Sequence, residues 1–172
     1  MARALPTKAL INGSWVDGSA GTFAVHSPQS GALIADVARC DEADVARAVE
    51  AARAAQPAWA ATPLIERVKI MREIHVLFAA RAEEVAQVLI TEIGKTVAEA
   101  REEVHEYAAP SWQKAGEEVL RHCGLSFPST QEQTNNKRLV LTHRPLGVVG
   151  VITPYNFPTD IASIALAHII AA

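Results

Sequence analysis

Gly147-Val148-Val149-Gly150-Val151-Ile152-Thr153-Pro154-Tyr155-Asn156-Phe157-Pro158 is the stretch that decides the fold of this 172-residue chain. Its first six residues are apolar on both faces, the pattern of a strand buried inside a parallel sheet. Two prolines break the run at Pro154 and Pro158, and Thr159 to Ala172 then reads as an amphipathic or buried helix. In an open α/β sheet, ligands bind beyond the carboxyl ends of the strands, which places Thr153, Pro154, Tyr155 and Asn156 at a site. Pro158 falls where a first helical residue would, a position that needs no donor. Asn156 is thereby held just ahead of a helix, and its amide can donate a hydrogen bond to an oxyanion without losing a proton. The alternative reading of the same side chain is structural: Asn156 caps the helix or satisfies the turn. Gly147 and Gly150 do not form GxGxxG or a phosphate loop, so taken alone they mark close packing or a bend.

Upstream of this unit, Lys137 to His143 alternates as a half-buried strand, with Leu139 and Leu141 on one side and Arg138, Val140 and Thr142 on the other. Residues 124–136 are polar and turn-rich and read as an exposed connection. Residues 41–121 read as helices. Asp41 suits an N-cap, with Val45, Val49 and Ala52 on one face and Pro57 as the stop. Thr62-Pro63 offers a second start, followed by a stripe of Leu64, Val68, Met71, Ile74 and Phe78. A third helix covers about Ala82 to Ile93, with Val85, Val88 and Leu89 inward and Gly94 as its left-handed stop. Thr96-Val97-Ala98-Glu99 has capping-box spacing and opens a fourth, which Pro110 kinks or interrupts. At the other end, Asn12-Gly13 between Leu10-Ile11 and Trp15-Val16 predicts a hairpin, and Phe23-Ala24-Val25 and Leu33 to Val37 predict two more strands.

Composition sets the outer bounds. Hydrophobic residues make up 49% of the chain but aromatics only 5%, and much of the apolar content is alanine, so helices packed closely through small side chains are expected. A formal charge of −3 with no single-sign run gives no footprint of a nucleic-acid binder. No apolar run reaches a membrane span, the N-terminus lacks signal-peptide character, and a cytoplasmic setting is expected. The two cysteines suggest no disulfide framework, and the six histidines show no metal spacing. Cys40 reads as a small packed residue. Cys123 has His122 and Arg121 beside it, which lowers a thiol pKa, but its place at a helix end ahead of the 147–152 strand speaks against a nucleophilic role. The pairs Glu83-Glu84, Glu102-Glu103 and Glu117-Glu118 read as solvated helix faces.

Several segments, in order along the chain, resemble the aldehyde dehydrogenase family. Arg144 to Pro158 resembles the family's signature around its P-W/F/Y-N-F/Y-P turn, with Tyr155 at the aromatic position. Glu92-Ile93-Gly94-Lys95-Thr96 resembles its E-x-GK-P segment, with threonine where proline is common. Leu10 to Trp15 resembles its INGEW hairpin, Ala48 to Trp59 its AAxxAxxxW helix, and Glu66-Arg67 its ER pair. The resemblance implies an α/β fold: the N-terminal portion of an aldehyde dehydrogenase, with β-hairpins, a helical stretch, an oligomerisation arm, and the first strand and helix of a doubly wound cofactor-binding sheet. Residues 1–123 would belong to the cofactor-binding domain, 124–145 to the arm, and 146–172 to the start of the dinucleotide-binding βα unit. The fold would continue past Ala172, since a lone central strand cannot pair its backbone on both sides.

The same resemblance implies the chemistry. A cysteine thiolate attacks the aldehyde, hydride passes to NAD or NADP, and water releases the carboxylic acid. It makes Asn156 one arm of the oxyanion hole, and Ile152, Thr153, Pro154, Tyr155 and Asn156 the lining of the cofactor site. It also implies a small-molecule aldehyde substrate, no nucleic-acid or membrane partner, and a homodimer or homotetramer. The family's cysteine nucleophile, glutamate base, ribose-binding lysine and GS-x-x-x-G helix start match nothing in these 172 residues, so the segment alone is expected to be inactive. The rival expectation is a non-catalytic fragment or helical interaction module. Semialdehydes, aliphatic aldehydes and aromatic aldehydes all stay open.

Overall fold

The computed structural model describes residues 6–122 and 124–172. Cys123, and with it the reading of its thiol, lies outside the described residues.

The N-terminal hairpin forms as its turn residues dictate. Asn12 and Gly13 both adopt positive φ, 51° and 74°, the backbone of a tight primed turn. They join β1 (Ala9–Ile11) to β2 (Ser14–Val16) antiparallel, with Leu10 opposite Trp15. A second hairpin pairs β3 (Thr22–His26) with β4 (Leu33–Ala38) and carries a register shift between Val25 and His26.

Helix α1 (Glu42–Ala61) starts at a reciprocal cap. Asp41 Oδ1 accepts from the amides of Ala43 and Asp44, at 2.9 and 3.1 Å, and Asp44 Oδ2 accepts from the Asp41 amide at 3.1 Å. Asp44 is buried and also accepts from the Ser19 amide and hydroxyl, both at 2.9 Å, which ties the loop after the first hairpin to the helix start. Two expectations fail here. Pro57 does not close α1. The helix passes through it to Ala61, and the Arg53 carbonyl that loses its partner lies on an exposed stretch where solvent reaches it. The supposed inward face is largely outward: Val45 and Ala52 are exposed and Val49 is half-buried, because the main packing partner of α1 is the short strand β1.

Helix α2 (Leu64–Ala80) follows, with Pro63 as its cap residue. Thr62 belongs to α1 instead, its hydroxyl donating to the Ala58 carbonyl at 3.1 Å. Helix α3 (Ala82–Ile93) stops at Gly94 with φ 78°, as expected. Helix α4 (Val97–Glu102) opens at Thr96 through the capping box with Glu99. The expected break ahead of Pro110 is a change of winding rather than a stop. A wide π turn, Glu103–Ala108, leads directly into α5 (Ala109–Arg121), with Pro110 in its first turn. A proline ring crowds the carbonyl four residues back, and the wider winding just ahead of Pro110 relieves that contact.

The chain then forms a third hairpin, β5 (Leu125–Pro128) with β6 (Arg138–Leu141), and ends in α6 (Asp160–Ala171). Strand β5 lies in a stretch read as an irregular connection, and β6 is exposed on both faces rather than half-buried. Residues 147–152 form no strand: Gly147 has φ 94°, Val148 is a bend and Ile152 is 101% exposed. The reason is topological. Among the described residues each of the three hairpins is a separate two-stranded sheet, and no strand of theirs pairs with residues 147–152.

Helices α2, α5 and α6 meet around Met71, Trp112, Ala115, Ala167 and Ala171. A second cluster joins α3, α4 and the π turn through Ala82, Ala86, Leu89, Ala100 and Val104. Among the described residues, eight of the thirteen buried apolar residues are alanine, which is the close helix packing the composition implies. No helix among the described residues is long and apolar enough to cross a membrane.

Candidate active site

Asn156 stands at the entry to α6, and that helix is clamped at both ends. The helix begins at Asp160 with Thr159 as its cap residue, so Pro158 precedes the cap rather than filling the first helical position, and its missing N–H costs no helix bond. At the far end, Trp59 Nε1 donates to the Ile170 carbonyl at 2.9 Å. Arg67 Nη1 donates to the carbonyls of Ala171 and Ala172 at 2.9 and 2.6 Å. Helix carbonyls without intrahelical partners need such donors, and the tryptophan and the arginine of two short sequence motifs supply them.

The helix N-terminus is capped from outside. Thr159 makes no side-chain cap to its own helix. Instead Glu103 Oε1, from the π turn, accepts from the Thr159 amide at 2.9 Å, the Thr159 hydroxyl at 2.7 Å and the Asp160 amide at 3.1 Å. Glu103 Oε2 takes the ammonium of Lys95, and that ammonium lies 3.8 Å from the centre of the Phe157 ring. The reading of Glu102-Glu103 as a solvated pair therefore holds only for Glu102. Glu103 is 1% exposed, because one residue of the pair must face inward once the π turn packs against α6. Its neighbour Glu102 stays outside and accepts from the Tyr107 hydroxyl at 3.1 Å.

Charge at this junction is uneven. Burial pushes the Glu103 carboxyl up, but the Lys95 ammonium and the donors of Thr159 and Asp160 outweigh it and hold the group below the ordinary glutamate range. Asp160 goes the other way: burial and the nearby Glu103 charge raise its carboxyl, and its Oδ1 is buried without a hydrogen-bond partner.

A cleft of about 740 Å³ opens on this junction, lined by Gly94, Lys95, Glu103, Tyr107, Asn156 and Asp160 among others. Of the five residues expected at a site, Asn156 alone is in that lining. Ile152, Thr153, Pro154 and Tyr155 form an exposed extended run leading to it, with Tyr155 at 84% exposure. The Asn156 amide makes no hydrogen bond within the described residues, so the capping alternative is filled by Glu103 and the amide is left free to donate. Cys40 is exposed rather than packed. Desolvation, with the adjacent Asp44 carboxylate, raises its thiol, the wrong direction for a nucleophile.

The family model described as the aldehyde dehydrogenase family matches residues 15–172. The chain belongs to the aldehyde dehydrogenase family. It is 37% identical over 153 residues to a glutarate-semialdehyde dehydrogenase of Pseudomonas aeruginosa, covering 88% of this chain and 31% of that protein. Among solved aldehyde dehydrogenase-like structures, it matches PnpE in complex with nicotinamide adenine dinucleotide at TM-score 0.88 and 30% identity, over 98% of this chain and 34% of that one. It matches the NADP-dependent glyceraldehyde-3-phosphate dehydrogenase of Bacillus halodurans, complexed with NADP, at TM-score 0.90 and 26% identity, over 98% and 36% respectively. The chain thus spans about a third of the length of the relatives it matches, and its fold is that of the corresponding part of an aldehyde dehydrogenase.

Proposed function

We propose that this chain is part of an NAD(P)-dependent oxidoreductase that converts an aldehyde to a carboxylic acid, and that Asn156 supplies one donor of its oxyanion hole. The observation that carries the reading is the Asn156 amide. It lines the cleft, precedes a helix held at both ends, and has no hydrogen-bond partner among the described residues. A preorganised neutral donor aimed where negative charge develops lowers the barrier without reorganising during the reaction. In this reaction a cysteine thiolate adds to the carbonyl carbon, and the oxygen takes up the charge and the Asn156 hydrogen bond. Collapse of that adduct expels hydride and leaves a thioester, which water cleaves to the acid and the free thiol.

The exposed run Ile152–Tyr155 presents an apolar and aromatic surface suited to one face of a nicotinamide ring. The spacing of Gly147 and Gly150 ahead of it fits no phosphate loop. Those four residues would hold the nicotinamide end of NAD or NADP, which when bound accepts the hydride. Cys40, with its raised thiol, is no candidate for the nucleophile, and the sequence position of Cys123, ahead of the 147–152 run, speaks against that residue as well, so the 172 residues alone would not turn over. Residues 1–123, 124–145 and 146–172 would serve as cofactor-domain entry, subunit-pairing arm and first cofactor βα unit. The arm would act in a homodimer or homotetramer that covers the exposed edges of β5 and β6.

The test is to incubate the complete gene product with semialdehydes, aliphatic aldehydes and aromatic aldehydes and either NAD or NADP. Equal amounts of reduced cofactor and carboxylic acid support the proposal, and a folded product that forms neither with any aldehyde rejects it. One observation favours a second reading, a non-catalytic interaction module: the exposure of Leu146, Ile152 and Tyr155. That reading requires a folded product without turnover that binds a partner chain through this run.

A further inference from the structure

We propose that Glu103 is a positioning residue that fixes the turn carrying Asn156, through Lys95, Thr159 and Asp160, and so sets where the Asn156 amide lies in the cleft. This rests on the reading of Asn156 as an oxyanion donor. Asn156 is followed by four residues, and three of them are held by one buried ion pair. Phe157 lies under the Lys95 ammonium at 3.8 Å, and Thr159 and Asp160 give three hydrogen bonds to Glu103 Oε1. The remaining residue, Pro158, has its φ fixed by its own ring. Each of the four residues after Asn156 thus carries a restraint, from Lys95, its own ring or Glu103.

Helix stability alone does not require this arrangement. A helix N-terminus can be capped by its own serine, threonine or aspartate at the surface, but Thr159 has helical backbone angles, φ −90° and ψ −39°, and makes no such bond. Here the threonine hydroxyl is turned to Glu103 instead, and a lysine and a glutamate are taken out of water together, which is a costly way to cap a helix. The arrangement gives a fixed bearing for the residue just before the helix. The two partners lie eight residues apart, Lys95 in the linker after the Gly94 stop and Glu103 at the head of the π turn. The cleft wall and the Asn156 turn are thereby built as one unit.

The test is a double-mutant cycle on kcat in the complete gene product, with one aldehyde and NAD(P). Glu103→Gln keeps the shape but removes the charge that holds Lys95. A donor displaced by about 1 Å costs on the order of 10²-fold, so kcat should fall by roughly 10- to 100-fold, with KM for the cofactor changed by less than about twofold. In the Asn156→Ala background the same substitution should cost less than about twofold more, because residues that act through one another are not additive. Thr159→Val removes only the hydroxyl donor. It should show the same non-additivity at a smaller scale, and it carries the cycle if Glu103→Gln does not fold. Exchange of the Thr159 and Asp160 amides should quicken in Glu103→Gln with far-ultraviolet circular dichroism unchanged. Equal losses with and without Asn156 would make Glu103 a purely structural residue and overturn the proposal. Wild-type turnover in Asn156→Ala alone would overturn the oxyanion reading itself, a different result from additivity.

Discussion

Replacing Lys95 by methionine leaves the Glu103 carboxylate buried without its counter-charge. The side chains of Lys95 and Glu103 are 11% and 0% exposed, so solvent cannot stand in for the lost partner. Breaking a buried pair in this way costs about 3–5 kcal/mol. Three donors from Thr159 and Asp160 remain on the carboxylate, which puts the expected loss at the lower end, about 3 kcal/mol. For a chain of this size that corresponds to a fall of about 6–12 °C in the unfolding midpoint. Removing both charges, Lys95→Met with Glu103→Leu, should recover about 1–2 kcal/mol and leave about 1–2 kcal/mol, the cost of a missing helix cap.

The assay is urea unfolding followed by circular dichroism, with midpoints compared at constant slope. Acid gives a second signature. The Glu103 carboxyl is held below its ordinary range, so its contribution is present above the unfolded pKa and is lost as pH falls through the folded one. The gap between wild type and Lys95→Met should therefore be widest at neutral pH and close in acid. A loss within about 0.5 kcal/mol, the worth of an exposed pair, would refute the reasoning and return Lys95 to the surface.

Three further outcomes follow from the same geometry. Gly13→Ala forces a side chain into positive φ and should cost about 1–2 kcal/mol in thermal unfolding; no change would mean that the first hairpin is not part of the cooperative unit. Asp160→Asn should stabilise the protein at neutral pH. The raised carboxyl favours the fold only while protonated, below its unfolded pKa, and loses that advantage as pH rises through the folded one; a stabilisation that persists unchanged in acid would contradict this. Asp44→Ala should release the Ser19 and Asp41 amides to faster hydrogen exchange. The Ser19 amide bond, against opposing desolvation, holds the Asp44 carboxyl low, so in wild type that protection should fade as pH drops through its folded pKa.

Local chemistry explains what was legible in the sequence. Asn12-Gly13, Asp41, Gly94 and Thr96-Glu99 each act within a few residues of themselves, and all four do what their types predict. The α2 stripe centred on Val68 and Met71 is also where periodicity puts it. The misses need long-range information. Glu103 looks like half of a solvated pair until a π turn aims it at a helix 56 residues away, and Trp59 and Arg67 reach across more than a hundred residues to the end of α6. Val45 looks inward by period but has no large element to face. The 147–152 run reads as a buried strand because its sequence suits one, while no strand of the three described hairpins pairs with it. Asn156 was legible as a position, and the observation that the cap is supplied by Glu103 was not.

The central claim is that the Asn156 amide carries oxyanion charge in an aldehyde oxidation, and kcat of Asn156→Ala in the complete gene product tests it most directly. The account predicts a fall of about 10²–10³-fold, the usual cost of one oxyanion donor, with cofactor affinity changed far less. Turnover at the wild-type rate would contradict it and leave Asn156 as a turn residue beside an unassigned cleft.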